Sequence, residues 1–455
     1  MGAGEGTSGC CLGLDVGTQG VKAILIDAQT CAVIARGAAP LSLIPGLLPG
    51  HAEQHPRDWA DAIRGAVADV WKAAPHARES LLSVGVSGQQ HGAVVVDEHR
   101  QVIRPAKLWC DTSTAAEAAE LSALLNRPIP AGFTAPKLLW LKRNEPAHWA
   151  RVRHVLLPHD WVNLQLTGAI ATEAGDASGT GYFDPVAREW DRFALAAIDT
   201  HAHELLPRIA APGSIIGQLN ESGVDLLGLP ASAMGRVAVS TGGGDNMMSA
   251  IGAGATAPGP AVISLGTSAT VFTVSDRPLL DPTGAIAPFC DSTGHWLPLI
   301  CMLNCTGVLE EVRQAFGMTH AGLTALARAV PPGCDGLAFT PYLRGERVPN
   351  LPDATGTLSG IRDGLLRPGH LYRAALEGVT ASIVSAVQRL RDGDLPITTI
   401  RLVGGGAKNE LWRELILEGM GAPVQLVPEP ETAALGAAIQ AQSAVSPRAI
   451  VGVRS

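Results

Sequence analysis

The sequence predicts an α/β protein made of two related halves, and three observations carry that reading. The chain has 455 residues, 46% of them hydrophobic and 17% charged, so two or more domains with sizeable cores are expected. Cys11 to Asp27 and Ala261 to Val274 each read as two β-prone runs around a Gly-Thr turn. Strand-like runs that end in glycines and lead into helical patterns recur between and after them.

Taken in order, Met1 to Gly9 has no basic start and no apolar run, so it reads as a flexible leader and not as a signal peptide. The first hairpin turns at Gly17-Thr18-Gln19-Gly20, with Asp15 on the incoming strand. A row of backbone amides beside a carboxylate is what a phosphate with a bound Mg²⁺ needs. An ordinary surface hairpin fits these residues equally well. Trp59 to Trp71 has helical amphipathic spacing.

Leu81 to Asp97 reads as strand, turn and strand, with Gln89, Gln90 and His91 at the tip. Such side chains can recognise sugar hydroxyls as donors and acceptors, or simply satisfy their own loop. Ala106 to Asp111 is a short strand ending in an acid, and Trp109 could stack on an apolar sugar face. A helix is expected after Pro136, and Thr172 to Asp184, which includes Asp176, reads as a polar loop.

Val237 to Asn246 runs from a β-branched strand through Gly242-Gly243-Gly244 into Asp245 and Asn246. Glycines there let a ligand approach the backbone. Asp245 reads from this segment either as a helix N-cap or as a catalytic acid. In the second hairpin, Val16-Gly17-Thr18 is matched by Leu265-Gly266-Thr267, while Ser264 stands where Asp15 does. The pairing suggests two related domains facing one cleft, each lending a Gly-Thr turn to a polyphosphate, with one metal-facing acid. Phe339 to Pro349 is a loop of interleaved charge. Ile400 to Trp412 is a strand, three glycines and a helix start; Asn409 breaks the G-x-G-x-x-G spacing. Its glycines would let an adenosine lie flat with Asn409 as anchor, or form a plain βα turn.

Several classes are excluded. The net charge is −8 without a clustered basic face, which argues against nucleic acid. The uncharged stretch Asn246 to Ser275 is broken by Gly252, Gly254, Pro258, Pro260 and Gly266, so no membrane span is expected. The eight cysteines lack C-x-x-C spacing and read as buried thiols of a reducing, cytoplasmic compartment. No P-loop, H-E-x-x-H or G-x-S-x-G pattern occurs.

Asp15-Val-Gly-Thr18, Gly242-Gly-Gly-Asp-Asn246, Leu265-Gly-Thr-Ser268 and Gly404-Gly-Gly-Ala407 together resemble the FGGY carbohydrate kinases. Gly132 to Leu141, with Lys137 and Trp140, is similar to the family's first signature. Gly356 to Ile361 with His370 to Glu377 is similar to its second. Ser87 to Gly92, Gly132 to Lys137 and Pro341 to Arg347 resemble the xylulokinase branch most.

The resemblance implies two actin-like (ribonuclease-H-like) ATPase domains around a central cleft, expected over residues 1–245 and 246–455. It implies ATP and Mg²⁺ and phosphorylation of a ketopentose, D-xylulose above others, at its terminal hydroxyl. Asp245 matches the family's catalytic base. Asp15 would hold Mg²⁺ through water, with Asp245 facing the same ion. Gly17, Thr18, Gly266 and Thr267 would hold phosphates, and Gly404, Gly405 and Asn409 the adenosine. Gln90, His91, Trp109 and Asn246 would meet the sugar, and a homodimer is the family-based expectation. Ser113 stands where many xylulokinases carry Arg, which keeps a kinase of ribulose, arabitol or gluconate open. Relatives usually continue past Gly436 to Gln440 into a further helical tail, so either this member is compact or that tail is missing. A non-catalytic ATP- and sugar-binding sensor and a chaperone-like ATPase are the rivals from other classes; Asp15 and Asp245 speak against the first.

Overall fold

A computed structural model describes residues 9–446; most of the leader, Met1 to Ser8, lies outside the described residues. The chain divides into two units. The first comprises Met1–Thr256, Phe289–Trp296 and Glu431–Ser455; the second comprises Ala257–Pro288 and Leu297–Pro430.

The first unit is a twisted sheet whose strand order is Ile215–Gln218, Ala238–Ser240, Leu81–Gly88, Cys10–Val16, Gly20–Asp27 and Val33–Pro40. Cys10–Val16 pairs antiparallel with Gly20–Asp27 and parallel with Leu81–Gly88, a mixed sheet buried on both faces. That burial explains its continuous runs of Leu, Val and Ile. One face is covered by Pro56–Ala73, which starts with Pro at its first position and buries Trp59, Ile63, Ala66, Val67, Val70 and Trp71. The opposite face is covered by Thr432–Val445, whose small residues allow very close approach: a Cβ on Gly13 would sit 2.0 Å from Ala434 O. Gly436 likewise touches the helix Asp245–Gly252, leaving 1.8 Å between a built Cβ and Met248 O.

The second unit repeats the plan. Gly259–Leu265 pairs antiparallel with Ala269–Thr273 and parallel with Ile397–Val403, as the first hairpin does with Leu81–Gly88. Ser264, which matches Asp15, faces Thr270 on one side and Val403 on the other. Pro368–Asp392 and Glu410–Met420 bring Tyr372, Leu376, Ile383 and Trp412 into the core of this unit.

Leu81–Gly88 and Val94–Val96 are the expected strand, turn and strand, and Val94–Val96 pairs with His154–Leu156. Three local expectations need correction. The strand expected up to Asp111 ends at Lys107, because Leu108 to Asp111 forms a turn closed by Asp111 N donating to Leu108 O. The helix near Pro136 begins at Thr134, since Pro is tolerated throughout the first turn, where no intrahelical N–H bond is lost. Thr172 to Asp184 is not a continuous polar loop: it opens with the strand Ala171–Glu173 and the helix Ala174–Ala177, with Thr172, Asp176 and Thr180 buried. Its alanines and glycines allow tight packing that the polar residues had masked. Among the described residues no helix is long and apolar enough to cross a membrane, and all eight cysteines are free.

Candidate active site

Parallel pairing brings several strand ends together in the first unit, at the edge where ligands of open α/β sheets bind. The register sets Asp15 beside Ser87 and Ser87 beside Gly243. Ser87 Oγ donates to Asp15 Oδ1 over 2.7 Å. Gly242 turns the chain with φ +68°, a conformation that favours glycine. Gln440 of the C-terminal helix clamps that turn, accepting from Gly242 N at 2.9 Å and donating to Gly242 O at 3.2 Å.

The next helix begins at Asp245, with Gly244 as its N-cap. Asp245 is therefore not the cap. Its Oδ1 accepts from Asn246 N at 2.8 Å and from Asn246 Nδ2 at 3.0 Å, and among the described residues Oδ2 has no hydrogen-bond partner. Burial pushes the Asp245 carboxyl up to about 8, and the charges of Asp15 and Asp176 push the same way against Asn246. Burial raises Asp15 to about 6 against the pull of the Ser87 hydroxyl. Two oxygen donors that repel each other's charge suit a hard divalent cation with a retained water shell.

Around this pair lies a polar network. Thr18 Oγ1 donates to Gln89 Oε1 at 2.7 Å and accepts from Trp109 Nε1 at 2.9 Å. Gln89 Nε2 reaches Gln54 Oε1 at 3.0 Å, which also accepts from the buried Trp59. The indole N–H of Trp109 is thus spent on fixing Thr18. Gln90 Oε1 accepts from Asn246 Nδ2 at 2.9 Å, so two of the sugar candidates and the acid are physically linked. His91 adopts φ +66°, an uncommon state for a residue with a Cβ. Thr134 Oγ1 and Lys137 Nζ hold it there by donating to its carbonyl at 3.2 and 3.1 Å. Its ring packs against Phe133 and Phe289 with centroids 4.9 and 5.7 Å away.

Ser113 joins a buried ion cluster. Lys107 Nζ, 1% exposed, reaches Ser113 Oγ at 2.8 Å, Glu53 at 3.1 Å, Asp111 at 3.2 Å and His51 at 3.3 Å. It also lies 4.1 Å from the centre of the Trp140 ring. His51, Glu53 and Asp111 are the one trio among the described residues able to share a metal ion, and the ammonium already supplies the cation there.

In the second unit, Gly266 N donates to Ser268 O, and Gly266 O accepts from Thr306 N and Oγ1 at 3.0 and 2.8 Å. Thr267 O accepts from Cys305 N and Gly307 N, so the turn rests on the start of the helix Thr306–Phe316. Gly404 sits beside it at φ +87°, where a Cβ would lie 2.8 Å from Leu265 O, whereas Gly405 has open space. Asn409 caps the helix Glu410–Met420 through Trp412 N at 3.2 Å and donates to Thr324 Oγ1 at 3.0 Å. Its side-chain amide is thus engaged in capping that helix and tying it to Thr324. Asp176, His159 and Gln440 were not singled out as site residues from the sequence. For Asp176 the signal was available in the small-residue string Ala174 to Thr180, which implies tight packing around one acid.

Comparison with known proteins identifies the family. The N-terminal domain of the FGGY family of carbohydrate kinases matches residues 10–252, and its C-terminal domain matches residues 261–445. The chain is 39% identical to a xylulose kinase of Haemophilus influenzae, over 94% of this chain and 90% of that protein. It is 39% identical to one of Streptomyces coelicolor, over 97% and 89%. The crystal structure of a xyloylose kinase from Brucella ovis superposes with a TM-score of 0.89 at 33% identity, covering 97% of this chain and 91% of that one. Each unit has the actin-like, ribonuclease-H-like fold, and the chain belongs to the FGGY family of ATP-dependent carbohydrate kinases.

Proposed function

We propose that this chain transfers the γ-phosphoryl group of ATP to the terminal hydroxyl of D-xylulose, giving D-xylulose 5-phosphate and ADP. Near full-length kinship with xylulose kinases supports the substrate, and the Asp15, Ser87, Asn246 and Asp245 constellation supports the chemistry. The observation that carries the mechanism is Asp245: one carboxylate oxygen is fixed by Asn246, and the other has no partner among the described residues.

A sugar hydroxyl is a weak nucleophile. As its oxygen bonds to the γ-phosphorus and the bond to the ADP oxygen breaks, Asp245 Oδ2 takes its proton. Asp15, its carboxylate fixed by Ser87, would hold Mg²⁺, which when bound would supply charge neutralisation for the phosphates. With Gly17 N given to Gly20 O and Gly266 N to Ser268 O, the remaining amides of the Gly17-Thr18 turn would meet phosphate oxygens, and those of Gly266-Thr267 would do the same. Gly404 and Gly405 would carry the adenosine, with Asn409 keeping that turn in place. Gln90, His91, Asn246 and the Trp109 ring would meet the sugar. Sugar and base thus belong to the first unit and adenosine to the second.

The Ser113 contacts favour one second reading, a kinase for a related ketose or polyol, because a buried lysine supplies the charge of that region. ADP release with MgATP and D-xylulose, D-ribulose, L-xylulose, D-arabitol or glycerol separates the two. A dominant D-xylulose response is expected, and a stronger response to another acceptor moves the substrate. A homodimer is proposed from the family, testable by light scattering. Cytoplasmic placement is proposed from the eight free thiols.

A further inference from the structure

The loop of interleaved charge in the second unit is built around a buried carboxylate. Glu346 is 1% exposed, and both of its oxygens are engaged. Oε1 accepts from Leu303 N and Arg347 N at 2.8 Å each, and Oε2 accepts from Asn304 Nδ2 at 3.0 Å. The same Asn304 amide donates to Gly345 O at 2.7 Å. The backbone of Glu346 exchanges two hydrogen bonds of 2.8 Å with Leu351. Gly345 permits the bend: its φ is +65°, and a Cβ there would sit 2.1 Å from Pro352 O. Leu303 and Asn304 run directly into Cys305 and Thr306, whose amides hold Thr267 O and Gly266 O. One carboxylate thus ties the charged loop to the support of the Gly266-Thr267 turn.

Strand register fixes the face of the sheet that this loop reaches. Ser264 pairs with Thr270, and Thr270 pairs with Cys301. The row before them, Ile263, Val271 and Ile300, and the row after, Leu265, Ala269 and Met302, belong to the core. Side chains alternate along a strand, so Ser264, Thr270 and Cys301 share the opposite face. All three are half-buried. In the first hairpin the matching row carries Asp15. Here the acid is replaced by Ser264, and a guanidinium stands at the end of the row: Arg347 Nη1 lies 3.5 Å from Cys301 Sγ. Arg347 is exposed and forms no ion pair among the described residues.

We propose that Arg347, aimed by Glu346, binds a phosphate of the nucleotide held at the Gly266-Thr267 turn. This rests on the reading of that turn as a phosphate site. Gly266 N is already given to Ser268 O, so the remaining amides leave a polyphosphate short of donors and of positive charge. The net charge of −8 offers it no general attraction. Cys301 lies one strand, about 5 Å, from the Thr270 arm of the turn, a gap that a phosphate and one guanidinium can bridge. The planar fork can give two charge-assisted N–H···O bonds to a single phosphate. A thiol sulfur accepts only weakly and competes poorly for it.

Arg347→Gln removes the charge from an exposed side chain and should leave folding intact. With D-xylulose as acceptor, its KM for MgATP is expected to rise about tenfold or more, while the KM for D-xylulose is unchanged. Arg347→Lys keeps the charge without the fork and should fall between that variant and wild type. ADP affinity by titration calorimetry tells which phosphate is held: a matching fall means the α- or β-phosphate, an unchanged value the γ-phosphate. In Glu346→Gln one oxygen cannot serve three donors, and the same one-sided rise in the KM for MgATP is expected. A wild-type KM for MgATP in Arg347→Gln overturns the proposal, as does a KM for D-xylulose that rises equally. A wild-type-like Glu346→Gln beside an impaired Arg347→Gln refutes the aiming alone; if Glu346→Gln does not fold, the two Arg347 variants decide. Wild-type protein that binds no ADP and turns over with no acceptor refutes the phosphate reading itself.

Discussion

Replacing Asp245 with Asn removes the proton acceptor and, on the same physics, stabilises the ligand-free protein. Burial, Asp15 and Asp176 raise this carboxyl from 3.8 to about 8. Between those values the folded protein keeps a proton that the unfolded chain has released. Stability is therefore lost as pH rises from about 4 to about 8, at about 1.4 kcal/mol per pH unit. From 3.8 to pH 7 that sets an upper limit of about 4 kcal/mol. Asp15 and Asp176 share the same repulsion, so about 1–2 kcal/mol is expected for Asp245 alone. Asn carries no charge at any of these pH values and keeps the shape. In thermal unfolding without nucleotide or Mg²⁺, Asp245→Asn should melt about 2–3 °C above wild type at pH 8. The two should converge near pH 4. A variant less stable than wild type at pH 8, or an offset independent of pH, would refute the reasoning. Its combination with lost turnover is the signature of a functional site held against stability.

Other consequences follow from the same contacts. The kcat/KM for the sugar should rise with pH along an acidic limb, since Asp245 must be unprotonated, and added Mg²⁺ should move that limb to lower pH by favouring the carboxylate; steady-state rates at two Mg²⁺ concentrations read both. Lys107→Met leaves the buried Asp111 carboxylate without its cation, while Glu53 keeps Arg104, so urea denaturation should show a loss of about 3–5 kcal/mol. Thr18→Val breaks the contacts to Gln89 and Trp109 and should cost about 1–3 kcal/mol with a raised KM for MgATP. Gly436→Ala drives a methyl into Met248 O; the two helices must separate, and the thermal midpoint should fall by several degrees at least.

Much of the fold was legible because its signals are local and repeated. The Gly-Thr turns, the β-branched runs around them and the glycines before Asp245 give the hairpins and strand ends directly, and the second unit repeats the first. The sequence also located the carboxylates at those ends. The segment by itself could not resolve Asp245 as cap or acid, because that depends on whether Gly244 or Asp245 is the N-cap. Contacts of long sequence separation were hidden. Gln440 lies 198 residues from the Gly242 turn it clamps, and nothing local marks it. Asp176 was assigned to a polar loop because polarity was weighed above the small residues flanking it, whereas it lies buried in a short helix. Trp109 and Asn409 show a further limit: residue type announced a polar handle, while the structure spends it on Thr18 and on a helix cap.

The most direct test of the central claim is sugar-dependent ADP production by wild type and Asp245→Ala, with MgATP and D-xylulose binding measured in parallel. Asp245→Ala should bind both ligands and lose about 10²- to 10⁴-fold in kcat. Turnover that survives the substitution would contradict Asp245 as the base.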